Sequence, residues 1–160
     1  MKQVSPARAT RNVCFGCGPY NSQGMHLKFH IDGNEPVVRG AFRIPGRYQG
    51  SRKVLHGGIV ALLLDEAMGK FNRVEEIIAP TAELSVEYLR PVPVGRKIVV
   101  EARRVRHEGR NYWRECIIQD GDGKLLARGK ARFVKIGDHA TGAKVTGADA
   151  KGAAANGGKQ

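Results

Sequence analysis

Long apolar runs are missing from this chain. The longest unbroken aliphatic stretch, Ile59 to Leu64, has six residues, whereas a membrane-spanning helix needs about 20. Met1 to Arg8 carries charge with no apolar segment behind it, so no secretory signal is expected and a cytoplasmic location is the default reading. Cysteine is scarce and odd in number: Cys14, Cys17 and Cys116. That argues against a framework of paired disulfides. Cys14-Phe15-Gly16-Cys17 has the spacing of a zinc knuckle or a redox pair, but a zinc site takes four ligands and no second CxxC or paired His follows. The expectation is therefore no metal, with both thiols in a tight turn of small residues.

Acidic residues are also short, 15 against 27 Lys and Arg, for a formal net charge of +12. Residues 1–11 supply +3 and residues 138–160 supply +1, which leaves +8 on residues 12–137. A basic folded domain seeks anionic partners: a phosphorylated small molecule, nucleic acid or anionic lipid. With no helix-turn-helix, zinc finger or strand of stacking aromatics, and only 5 Phe, 4 Tyr and 1 Trp, neither nucleic acid nor membrane is expected.

Residues 1–11 read as a flexible arm. Residues 138–160 collapse to Gly, Ala and Lys with little to bury and read as a disordered tail, leaving one domain at 12–137. Met25 to Ile31 and Val37 to Ile44 alternate as strands about a turn at Asp32-Gly33-Asn34. A helix is predicted over about Gly57 to Asn72, apolar nearly all round and therefore buried. Four strands follow: Thr81 to Leu89, Lys97 to His107, Tyr112 to Gln119 and Leu125 to Lys135. Glu108-Gly109-Arg110 and Asp120-Gly121-Asp122-Gly123 mark the hairpins. One helix cannot cover both faces of a sheet, so the class is α+β with an antiparallel sheet of five to six strands curled around one long helix.

The chemistry concentrates in Val54 to Gly69. His56-Gly57-Gly58 opens the helix where backbone N–H groups are unpaired and a ligand can approach closely, and Asp65-Glu66 places two acids in its apolar body. Donors for an oxyanion and a carboxylate to handle water are the parts of an acyl-transfer site. Eight residues separate Gly57 from Asp65, about 12 Å along a helix. The two either serve different sites or meet across a subunit interface.

The order of elements and these motifs resemble the hotdog-fold thioesterases, in particular the phenylacetate-degradation-type acyl-CoA thioesterases. Cys14 to Gly24 is similar to the lead-in of one branch of that family. His56-Gly57-Gly58 with Asp65 resembles its helix signature, and Glu83 to Pro93 resembles the strand that follows. The resemblance covers roughly residues 13–135 and implies several things. The substrate is an acyl thioester of coenzyme A, which is itself part of the substrate, so no cofactor is needed. The assembly is a homodimer or a dimer of dimers with a composite site. The Gly57 N–H polarises the thioester carbonyl, Asp65 is general base or nucleophile, and Thr81 orients water. Gln49 stands where some relatives carry a polar amide, and Arg90 stands where relatives hold coenzyme A phosphates. Arg103 and Arg128 are further candidates for the nucleotide end.

Competing roles come from the residues themselves. His56 is either a base or a hydrogen-bonding residue that shapes the helix start, with Gly58 beside it. Glu66 is the rival carboxylate, about 100° round the helix from Asp65. Phe15, Tyr20, Tyr48, Met68 and Phe71 are candidates for the acyl pocket. A non-catalytic acyl-CoA binder or sensor on the same fold is the alternative function, against which a buried acid in an aliphatic helix argues.

Overall fold

The computed structural model describes residues 11–32 and 36–139. The arm and tail expected at 1–11 and 138–160 lie outside these residues, apart from Arg11, Asp138 and His139. Six strands form one antiparallel sheet: β1 (His30–Asp32), β2 (Val37–Arg43), β4 (Thr81–Tyr88), β5 (Lys97–Glu108), β6 (Asn111–Asp120) and β7 (Leu125–Val134). Their order across the sheet is β1-β2-β5-β6-β7-β4. A helix, α1 (Gly57–Gly69), packs against five of these strands, followed by a short α2 (Phe71–Val74). A two-residue strand β3 (Ile77–Ile78) pairs with β8 (Gly137–Asp138), so regular structure runs one residue past the boundary expected at 137. Among the described residues no helix is long and apolar enough to cross a membrane.

The helix is buried as its composition requires. Leu63, Leu64, Ala67 and Met68 are wholly enclosed, facing Ile98, Val100, Ala102, Cys116 and Ile118 of the sheet. The strand β7 comes close enough to α1 that a side chain at Gly129 would press on Leu64, its Cβ falling 3.2 Å from Cδ1. That approach lets a small sheet wrap one helix, as the hotdog arrangement demands.

Three expectations are corrected in detail. The helix stops at Gly69 rather than Asn72, and after Lys70 a short second helix, α2, begins at Phe71. The buried Arg114 accounts for the break: its guanidinium takes the Met68 carbonyl at 2.8 Å and Asn72 Oδ1 at 2.8 Å. The first strand begins only at His30, because the N–H groups of Met25 and Leu27 bond to Phe15 and Gly16 of the N-terminal turn instead. Alternation in that segment records burial of Leu27, not strand pairing. Finally, the strand expected over Thr81 to Leu89 ends at Tyr88 as β4, with Leu84 38% and Tyr88 56% exposed. β4 lies at the sheet edge, bonded to β7 on one side only.

Candidate active site

The helix start is organised by its cap. His56, in an extended conformation, accepts the Gly58 N–H on Nδ1 at 3.0 Å, and its carbonyl accepts the N–H groups of Ile59 and Val60. The Gly57 N–H has no acceptor among the described residues. The N-terminus of α1 thus presents one free donor at the positive end of the helix dipole. With Nδ1 committed to the cap, His56 has the geometry of a shaping residue, and the Gly58 N–H is spent on that cap. Gln49 accepts the Lys53 N–H at 3.3 Å in the loop leading to this point.

The two acids of α1 point into different environments. Asp65 is half-buried and accepts the Thr81 hydroxyl on Oδ1 at 2.8 Å. Burial raises its pKa above the usual carboxylate value, the Thr81 bond offsets part of that rise, and the neighbouring Glu66 charge adds to it. Glu66 faces the N-terminal turn, with Cys14 on Oε1 and Lys70 on Oε2. Burial alone would raise its pKa, but the Lys70 ammonium and the bonds from both thiols hold it below the ordinary range. Among the described residues Asp65 is therefore the acid with one hydrogen-bond partner, Thr81, and a raised affinity for protons. Glu66 is neutralised in place.

Thr81→Val should raise the Asp65 pKa further, because the hydroxyl stabilises the anion. A carbon-detected NMR titration of the Asp65 carboxyl reads the change, and an unmoved or lowered pKa would refute it.

Strand β4 runs antiparallel to α1. Its first residue, Thr81, meets Asp65, and its last, Tyr88, donates its hydroxyl to the Gly57 carbonyl at 3.0 Å. The Tyr88 contact was not anticipated; only its place in a motif after the helix hinted at it. The structure brings Asp65 and Thr81 together at one end of β4 and His56, Gly57 and Gly58 at the other. It does not join the two groups within one chain.

Beside the helix start, Leu55 donates to the Val92 carbonyl at 2.8 Å, and Val54 bridges to Pro93. Pro91 and Pro93 form one wall of a cleft of about 700 Å³ whose rim carries Arg43, Arg90, Arg96, Lys97 and Lys124 against Asp120 and Asp122. Arg90 is anchored there on the Leu125 carbonyl at 2.8 Å. The other two arginine candidates lie elsewhere: Arg103 pairs with Glu101 and Arg128 with Glu87, on the sheet face turned away from α1. Of the acyl-pocket candidates, Met68 and Phe71 are core, Tyr48 packs against the core edge, and Phe15 and Tyr20 are exposed.

The chain is similar in sequence and in fold to known proteins. Residues 52–127 match the family model described as the thioesterase superfamily. The chain is 34% identical over 89 residues to rat acyl-coenzyme A thioesterase THEM4, covering 55% of this chain and 38% of that protein. It therefore spans well under half the length of that curated relative. Among solved structures, the thioesterase superfamily protein RHA08564 superimposes with a TM-score of 0.72 at 27% identity, over 81% of this chain and 69% of that one. The Escherichia coli PaaI protein of the phenylacetic acid degradation operon superimposes with a TM-score of 0.62 at 16% identity, over 68% of this chain and 82% of that one. The described domain thus has the hotdog fold, and its segment 52–127 is similar to the thioesterase superfamily.

Proposed function

We propose that this protein hydrolyses acyl thioesters of coenzyme A, at a site completed by two copies of the chain. The observation that carries the reading is the placement of a free helix N–H at one end of β4 and a hydroxyl-bonded, proton-avid carboxylate at the other. β4 is an edge strand with exposed apolar side chains. Antiparallel pairing of β4 with its copy about a two-fold axis sets the Thr81 end of one strand opposite the Tyr88 end of the other. Asp65 of the partner subunit then comes beside Gly57, which a single helix, with about 12 Å between them, does not allow.

In the proposed reaction the Gly57 N–H bonds to the thioester carbonyl oxygen and stabilises the oxyanion as it forms. Asp65 takes a proton from water as that water attacks the carbonyl carbon, with Thr81 holding the carboxylate; direct attack by the carboxylate is the variant mechanism. Collapse of the intermediate expels the coenzyme A thiolate, which leaves with the proton. The basic rim around Arg90 suits the phosphates at the far end of the substrate. The naming of a thioester of coenzyme A draws on the rat relative, and a phenylacetate-type acyl group is the finer reading that the PaaI likeness suggests.

Asp65→Asn should lower thiol release from a panel of short, medium, long and aromatic acyl-CoAs by about 100- to 10,000-fold. Its folding should persist, because an amide does not carry the ionisation cost that burial imposes on the carboxylate at neutral pH. Binding without turnover in the wild type would move the reading to an acyl-CoA sensor. The composite site has its own test. Asp65→Asn and Gly57→Pro should each lose most activity alone, but mixed dimers of the two hold one site with both lesions and one with neither. Activity restored on mixing is the expected outcome, and none restored in proven mixed dimers places both groups in one chain's site.

A further inference from the structure

Three side chains converge at a point that the proposed hydrolysis leaves unused. Ligand atoms of Cys14, Cys17 and Glu66 all lie within 4.8 Å of one another, half-buried between the N-terminal turn and α1. Cys14 Sγ is 3.2 Å from Glu66 Oε1, and Cys17 Sγ lies within 4.8 Å of both. The turn is shaped to this end. A Cβ at Gly16 would fall 2.5 Å from Glu66 Cδ, and one at Gly18 would fall 2.4 Å from the Cys14 nitrogen. Only glycine at both places lets the turn close tightly enough to aim two thiols at one carboxylate.

We propose that Cys14, Cys17 and Glu66 bind one thiophilic divalent cation, with zinc the ion this donor set suits and water filling the fourth position. The third ligand is not visible beside the CxxC in the sequence because it comes from α1, 52 residues beyond Cys14. Tetrahedral zinc, with bonds of about 2.3 Å to sulfur and about 2.0 Å to oxygen, sets S···S near about 3.8 Å and S···O near about 3.5 Å. The three ligand atoms, all within 4.8 Å of one another, stand close to that geometry.

Lys70 stands 3.0 Å from Glu66 Oε2 and supports the assignment once charges are counted. Binding releases one proton from each thiol, and two thiolates and a carboxylate around a divalent ion leave one negative charge in excess. The Lys70 ammonium neutralises it from Oε2 and leaves Oε1 for the metal, the part an outer-shell donor plays around metal–thiolate centres. A catalytic redox pair calls for the reverse environment: cations favour a reactive thiolate, whereas a carboxylate beside both thiols opposes it until a metal arrives. The ion would fasten the N-terminal turn to α1 one residue from Asp65.

The test uses the tag-free full chain, reduced and stripped with a chelator, then titrated with Co²⁺ and back-titrated with Zn²⁺. One equivalent of Co²⁺ should produce a thiolate charge-transfer band and tetrahedral d–d bands, displaced by one equivalent of Zn²⁺. The native mass should rise by one zinc less two protons per chain. Cys14→Ser, Cys17→Ser and Glu66→Gln should each weaken binding at least about 10-fold, while Cys116→Ala leaves it unchanged. Melting curves should rise with zinc in the wild type and not in the serine variants. No uptake by the reduced chain, or uptake indifferent to these substitutions, overturns the site. A Cys14–Cys17 disulfide forming in a chain that takes up no metal also overturns it and assigns a redox pair. None of these outcomes bears on thioester hydrolysis, which is assayed separately.

Discussion

Gly57→Pro is expected to lower kcat by about 100- to 1,000-fold while leaving the domain folded, the cost of removing one oxyanion donor. The substitution deletes an N–H and little else. Gly57 is the first residue of α1, where proline is tolerated because that N–H has no partner in the helix. The preceding residue, His56, already has φ −60° and ψ 136°, the extended conformation that proline requires before it. A Cβ at Gly57 meets only the Tyr88 ring, at an ordinary 3.5 Å. Circular dichroism and melting should therefore resemble the wild type while thiol release collapses. Gly57→Ala keeps the donor, so it should lose far less. Equal losses in the two variants would show that crowding, not the missing N–H, is responsible, and full activity in the proline variant would remove Gly57 from the mechanism.

The largest effect on stability is expected at Arg114, which is 1% exposed. Its guanidinium bonds to the Met68 carbonyl at the end of α1, to Asn72 Oδ1 and to Glu75, and lies over the Phe133 ring at 4.4 Å. Burial lowers its pKa, and the Glu75 carboxylate opposes that shift. Glu75→Gln leaves the cation enclosed among neutral acceptors and should cost about 3–5 kcal/mol, a fall in Tm of roughly 10–20 °C. Arg114→Met should cost less, because Glu75 keeps its second partner, Arg104, at 2.9 Å. The order of the two variants in urea denaturation is the discriminating result. A more stable Glu75→Gln protein would mean that the pair's desolvation outweighs its attraction.

Asp65 and Glu66 show how far a sequence can be read at such a site. Their adjacency, about 100° apart on a helix, says that they face different surroundings but not which surroundings each meets. That depends on the turn at Cys14 to Gly18 folding back onto the Glu66 side and β4 crossing on the Asp65 side. Both are contacts between segments distant in the chain. Arg114 was hidden for a related reason: its place alternates with Cys116 and Ile118 on the inward face of β6, where a cation contradicts the pattern. The acceptors that make it tolerable come from α1 and α2. The basic surplus was likewise visible as a total. Only the tertiary structure sorts it into Arg90, on the cleft beside the helix start, and Arg103 and Arg128, engaged by carboxylates on the outer face.

The sequence by itself determined the local elements: a helix too apolar to be anywhere but inside, strands with two-residue alternation, and glycine-bearing turns that make hairpins of them. These follow from periodicity and backbone sterics, which act over a few residues. It also determined that the Gly57 donor and Asp65 stand about 12 Å apart on one helix, because helix rise is constant. What the tertiary structure decided was strand order, the free edge at β4, the partner of each acid and the meeting of Glu66 with two thiols. Those depend on which distant surfaces close on one another when α1 is wrapped, and the packing of the whole domain settles that choice.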